Sequence, residues 1–172
     1  IQVVLERFGR IDVLVHNAGL TVVRSAFHTT AVEISRSVAT NFSGPILLTQ
    51  EALSRRALGA SMRVIYLSSL GAVVAKEKAG VYSGTKAAGE QVFLALADEV
   101  RNRPDTRGKV DISVLRPGFV RSDYPVQISA GAGEEASVAA MDQLRSLSPT
   151  SSEDVVREVM RVSLAENPPL LK

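Results

Sequence analysis

The sequence contains no cysteine, which excludes a disulfide framework, a thiolate metal centre and a cysteine nucleophile. Histidine is nearly as scarce, with 2 residues, and no metal site is expected. The 12 glycines and 7 prolines are too few for a collagenous or low-complexity chain, and a hydrophobic content of 45% excludes a disordered one. Neither sign of charge dominates. The 20 basic and 18 acidic residues leave a formal +2, without the basic stripe that a nucleic-acid partner would require. No apolar run approaches the roughly 18 residues that span a bilayer, so no membrane partner is expected. No signal peptide is recognisable, and the first residue is Ile1 rather than Met, so the natural beginning is expected to be missing. The 172 residues suit one soluble, cytoplasmic domain with a sizeable core, or a large piece of one.

What is present alternates in period. Ile11 to Val15 is a short apolar run ending at Asn17-Ala18-Gly19, the pattern of a buried strand in a parallel sheet. Residues 29–57 follow with helical spacing, marked by Val32, Ile34, Val38, Ile46, Leu47 and Leu53. Thr29 or Thr30 supplies the N-cap, and Gly44-Pro45 predicts a kink midway. Met62 to Leu67 reads as a second strand, residues 81–103 as a second long helix, and Lys109 to Leu115 as a third strand. Residues 123–147 have no clear strand period, and an amphipathic helix is expected from about Ser152 to Ala165. This succession predicts an α/β fold, a Rossmann-type doubly wound parallel sheet, as one domain over residues 1–172. Ligands in such sheets bind beyond the carboxyl ends of the strands. Asn17-Ala18-Gly19, Ser68-Ser69 and Pro117-Gly118 fall there.

Tyr82 and Lys86 are four residues apart, on one face of the second long helix. An ammonium beside a phenol lowers its pKa, and such a Tyr serves as general acid or base on an alcohol or ketone. Ser69, thirteen residues earlier at a strand end, is placed to hydrogen-bond a substrate oxygen beside that phenol, although a simple turn serine explains it equally well in isolation. Asn17-Ala18-Gly19 permits close backbone approach to a ligand, with Asn tying neighbouring strands, or is a plain turn. Asn41 sits mid-helix, where Asn has poor propensity; without context it reads as solvent-exposed rather than as the organiser of a water. His16 and His28 read as structural or surface residues, and Lys76-Glu77-Lys78 as a solvated loop tip.

Taken in order, His16-Asn17-Ala18-Gly19, Asn41, Ser69, Tyr82-x-x-x-Lys86 and Pro117-Gly118 with Ser122 resemble the short-chain dehydrogenase/reductase family over roughly residues 1–122. The resemblance implies an oxidoreductase that moves a hydride between NAD or NADP and a hydroxyl or carbonyl carbon. It implies Tyr82 as proton donor or acceptor, Lys86 as the group that lowers its pKa and holds the nicotinamide ribose, Ser69 as the residue orienting the substrate oxygen, and Asn41 as the holder of a relay water. Asn17, Ala18 and Gly19 would lie on the adenosine side of the cofactor, while Pro117, Gly118, Val120 and Ser122 would face the nicotinamide. A homodimer or homotetramer built on the two long helices is also implied, with Val92, Leu94, Leu96 and Val100 contributing apolar surface.

Two residues depart from the family pattern: His16 stands where Asn is usual, and Ser122 where Thr is commoner. The Gly-rich loop that seats the cofactor pyrophosphate is expected to lie before residue 1, and the strand after Pro168-Pro169 is expected to be cut off. The apolar, Ala-rich segment after Ser122 favours a hydrophobic alcohol or ketone, and residues 123–147 are expected to form a mobile lid hinged at Gly131 and Gly133. The competing reading is a non-enzymatic binding or interaction protein that keeps the fold without the cofactor. A serine hydrolase is disfavoured, because Ser69 lacks a Gly-x-Ser-x-Gly context.

Overall fold

The computed structural model describes residues 1–55, 60–121, 128–130 and 135–171. Three parallel strands form the central sheet: β1 (Val13–His16), β3 (Met62–Leu67) and β4 (Val110–Leu115), in the order β1-β3-β4. Val15 pairs with Ile65, and Ile65 pairs in turn with Ser113. A second pair of parallel strands, β2 (Thr21–Val23) and β5 (Ile128–Ala130), lies beyond it. The helices are α1 (Gln2–Phe8), α2 (Ala31–Val38), α3 (Gly44–Ser54), α4 (Gly80–Asn102), α5 (Glu135–Ser146) and α6 (Ser152–Leu164).

The strand period sorts the core into two layers. Met62, Val64 and Tyr66 alternate on one face of β3, and Val110, Ile112 and Val114 do so on β4. They pack with Ala52 of α3 and Phe93, Ala97 and Val100 of α4. The intervening Ile65 and Leu67, with Leu115, meet Val162 of α6 on the opposite face. Arg63 also points to that side and donates to the carbonyls of Val162 (2.8 Å) and Ser163 (2.6 Å), capping the carboxyl end of α6. Both helix starts are encoded locally. Thr30 with Glu33, and Ser151 with Asp154, form reciprocal capping boxes.

Several expectations are refined. Residues 29–57 are not one kinked α-helix: a π-helical turn, Ala39–Ser43, separates α2 from α3. Gly44 permits it, since a Cβ there would lie 2.7 Å from the Ala39 carbonyl oxygen. Residues 123–147, which show no clear strand period, contain β5 and α5, while Gly131 and Gly133 lie outside the described residues. After Pro168-Pro169, Leu171 forms an isolated parallel bridge with Val114, whose N–H donates to the Leu170 carbonyl at 2.7 Å. Val100 is core rather than interface, 2% exposed.

Candidate active site

The carboxyl ends of β1, β3 and β4 lie along one edge of the sheet, with the amino-terminal half of α4 beside them. Ser69, just past β3, caps a short 3-10 turn (Leu70–Ala72) by accepting from the Gly71 N–H at 3.1 Å. Its hydroxyl lies near the Tyr82 ring in the first turn of α4. A Cβ at Gly71 would lie 3.4 Å from both Ser69 Oγ and Tyr82 Cε1, which shows how closely the turn approaches the ring. Burial raises the Tyr82 pKa above its ordinary value, and the Ser69 hydrogen bond offsets part of that rise.

One helical turn on, Lys86 is 4% exposed. Its ammonium donates to the Leu67 carbonyl at 2.7 Å and lies 5.3 Å from the centroid of the Tyr66 ring. Burial lowers its pKa to about 8. In this arrangement the raised Tyr82 pKa has desolvation as its main cause, opposite in sign to the effect expected from an adjacent ammonium.

Asn41 corrects the solvent-exposed reading, being fully buried in the π-helical turn. Its Oδ1 accepts from Leu20 N–H (2.8 Å), and its Nδ2 donates to the Leu20 carbonyl (2.8 Å) and to Thr85 Oγ1 (3.0 Å). Both side-chain donors are thus spent on holding the β1–β2 connection against α4. Its carbonyl lacks the usual helical donor for another reason. Four residues on stands Pro45, which has no N–H to give it, and the Tyr66 hydroxyl donates to it instead at 3.0 Å. Gly89 makes room for that contact: a Cβ there would lie 2.2 Å from the Tyr66 hydroxyl.

Gly19 belongs to the same cluster, since a Cβ on it would sit 3.8 Å from both Asn41 Oδ1 and Lys86 Nζ. Asn17 and Ala18 are exposed beside it. Asn17's neighbour His16 instead ties β1 to α3, its Nε2 2.7 Å from Thr49 Oγ1, and burial lowers its pKa to about 4. Pro117 reaches back across the strand ends, its carbonyl accepting from Leu70 N–H at 2.8 Å. Gly118 and Val120 follow in the same turn, and Ser122 lies outside the described residues. Lys76 is more than a solvated tip, for its ammonium stands 5.5 Å from the centroid of the Phe119 ring.

Beside the site, the buried side chains of Tyr66, Thr85 and Glu90 escaped the sequence reading. Glu90 carried a legible signal, since it continues the Tyr82–Lys86 spacing by four more residues.

A family model of the short chain dehydrogenases matches residues 1–133. The chain belongs to this family. A dehydrogenase/reductase SDR family member 7B from Danio rerio is 28% identical over 159 residues, covering 92% of this chain and 48% of that protein. The chain therefore spans about half the length of that short-chain dehydrogenase relative. A crystal structure of a short-chain dehydrogenase from Streptomyces avermitilis superposes with a TM-score of 0.80 at 30% identity, covering 99% of this chain and 63% of the other. The fold is shared as well by a short-chain dehydrogenase/reductase from Burkholderia phymatum in complex with NAD, with a TM-score of 0.81 at 17% identity, covering 99% of this chain and 64% of that one. Among the described residues no helix is long and apolar enough to cross a membrane.

Proposed function

We propose that residues 1–172 are part of one Rossmann-type domain and carry the proton-transfer half of an NAD- or NADP-dependent oxidoreductase that interconverts a hydroxyl and a carbonyl group. The observation that carries this reading is the approach of Ser69 Oγ and the Tyr82 ring to one another around Gly71, with Lys86 one turn further along the same helix. The comparison with an NAD-bound family structure supports the cofactor class. The residues present fit the nicotinamide end of such a cofactor. Gly19 borders Lys86, and Gly118 is open, with nothing within 4 Å of a Cβ built on it. Among the described residues no Gly-rich turn leads from a strand into a helix, so they offer the pyrophosphate no cradle.

When bound, the nicotinamide supplies or accepts the hydride. The protein's own part is the proton. Ser69 Oγ holds the substrate oxygen in the plane of attack, and Tyr82 Oη gives a proton to a carbonyl oxygen or takes one from a hydroxyl. Lys86 is the residue that would hold the cofactor ribose, and its charge would favour the phenolate. Asn17, Ala18 and Gly19 would hold the cofactor towards its adenosine side, and Pro117, Gly118 and Val120, with Ser122 next in sequence, its nicotinamide end. The carbonyl of Asn41 keeps a second lone pair for a relay water.

The substrate is an apolar alcohol or ketone. Leu70, Val73, Val74 and Phe119, which flank Ser69 and Gly118, all remain exposed, Val73 by 56%. Val32, Leu47 and Leu48 leave apolar surface on α2 and α3, which supports self-association as a homodimer or homotetramer. The test is turnover by the full-length protein of aliphatic and aryl ketones with NADPH or NADH, against the Tyr82→Phe and Ser69→Ala variants. Loss of nearly all turnover in Tyr82→Phe, with nucleotide binding retained, is expected. Wild-type protein that turns over no ketone or alcohol with either nucleotide would overturn the reading.

A further inference from the structure

Outside the Ser69–Tyr82–Lys86 constellation, one buried charged cluster has no part in the proton chemistry. Glu90 is 2% exposed and lies one turn beyond Lys86, so Tyr82, Lys86 and Glu90 form a single stripe along α4 at four-residue spacing. Its carboxylate accepts from Ser68 Oγ at 2.6 Å and from Arg116 Nε at 3.1 Å, and its second oxygen bonds Arg116 Nη2. Arg116 thus grips it with two donors of its planar fork. The hydrogen bonds and charge of Arg116, with the Ser68 bond, outweigh the upward push of burial and leave the Glu90 pKa below its ordinary value.

A buried ion pair is a poor source of net stability, because desolvation cancels most of its attraction. Its geometric effect is larger. Ser68 immediately precedes Ser69, and Arg116 immediately precedes Pro117-Gly118. One carboxylate on α4 therefore fixes two strand ends relative to the helix that carries Tyr82. Backbone bonds bracket the same junction: Ser68 N–H to the Leu115 carbonyl and Leu70 N–H to the Pro117 carbonyl, both 2.8 Å.

We propose that Glu90, through Ser68 and Arg116, is the positioning residue that sets Ser69 and the Pro117-Gly118 turn in register with Tyr82. This rests on the oxidoreductase reading above. The experiment compares Glu90→Gln, Arg116→Met and the double variant of the full-length protein. As a control, Val110→Ala opens a cavity at the far end of β4 and destabilises without touching the cluster. Two readouts are taken below the melting temperature: kcat and KM with NADPH or NADH and a ketone that the wild type reduces, and amide hydrogen exchange at Leu70.

Each single variant is expected to lose about 100-fold in kcat, as small misplacements of reacting groups do, with KM changed by less than about threefold. The double variant should be no worse than either single one, and Leu70 should exchange faster in all three. Val110→Ala should keep the wild-type kcat. Glu90→Gln with wild-type kcat, or Val110→Ala with an equal loss, would overturn the proposal. Absence of turnover in the wild type would instead strike the oxidoreductase reading itself.

Discussion

Two helical segments cover the same face of the β1-β3-β4 sheet, and they treat their backbones in opposite ways. The 23 residues of α4 run unbroken, so four-residue spacing alone lines up Tyr82, Lys86 and Glu90. The stretch from α2 to α3 is interrupted by the π-helical turn at Ala39–Ser43, just before Pro45. There the break exposes a main-chain carbonyl, that of Asn41, in the middle of a packed core. A regular helix delivers side chains at fixed intervals; an interrupted one delivers a backbone group. Tyr66 joins the two, stacked on Phe93 of α4 at 4.5 Å and donating to the Asn41 carbonyl.

That junction is where the comparison breaks most easily. Gly89→Ala would place a Cβ 2.2 Å from the Tyr66 hydroxyl and 2.8 Å from its ring carbon, and the stacked ring has nowhere to go. We expect a loss of about 4 kcal/mol by urea denaturation, from overpacking together with the lost hydrogen bond. Tyr66→Phe should recover part of it. An unchanged midpoint would mean that the two helices are not in tight contact there.

Next in size is Asn41→Ala, which strips the Leu20 N–H and carbonyl and Thr85 Oγ1 of a buried partner. It should cost about 3 kcal/mol in the same assay. A cost under about 1 kcal/mol would show that the interrupted segment is held by packing alone.

A smaller effect is expected from acid. His16 anchors α3 through Thr49, and its folded pKa lies at about 4, below the ordinary 6.5. The unfolded chain therefore takes up the proton first. Stability from neutral His16 is complete above pH 6.5 and is lost as pH falls towards 4. His16→Asn should flatten the stability profile in that window. Smallest of all is Pro45→Ala. It restores an N–H that competes with Tyr66 for the Asn41 carbonyl, and should change the unfolding free energy by no more than about 1 kcal/mol.

The same contrast explains what could be read in the sequence. β3 and β4 were legible because both are buried and largely apolar runs, and their bounds differ from the expected ones by a residue at most. The Tyr82–Lys86 face was legible because α4 is regular. The Gly44-Pro45 pair predicts a break, but nothing local says that the break turns Asn41 inward, because its partners are 21 and 44 residues away. β2 and β5, three residues each, are too short to show a period, and among the described residues they pair only with each other. Glu90 stayed hidden because a carboxylate in mid-helix ordinarily faces water. Only Arg116 and Ser68, brought in from two strand ends, make its burial affordable.

The central claim is that Tyr82 hands over the proton while a nicotinamide hands over the hydride. It is tested most directly by incubating the full-length protein with a ketone and NADPH or NADH deuterated at the transferring carbon, then locating the label in the alcohol by mass spectrometry. The account predicts deuterium on the carbinol carbon with wild-type protein and almost none with Tyr82→Phe. Unlabelled alcohol, or equal labelling by Tyr82→Phe, would contradict it.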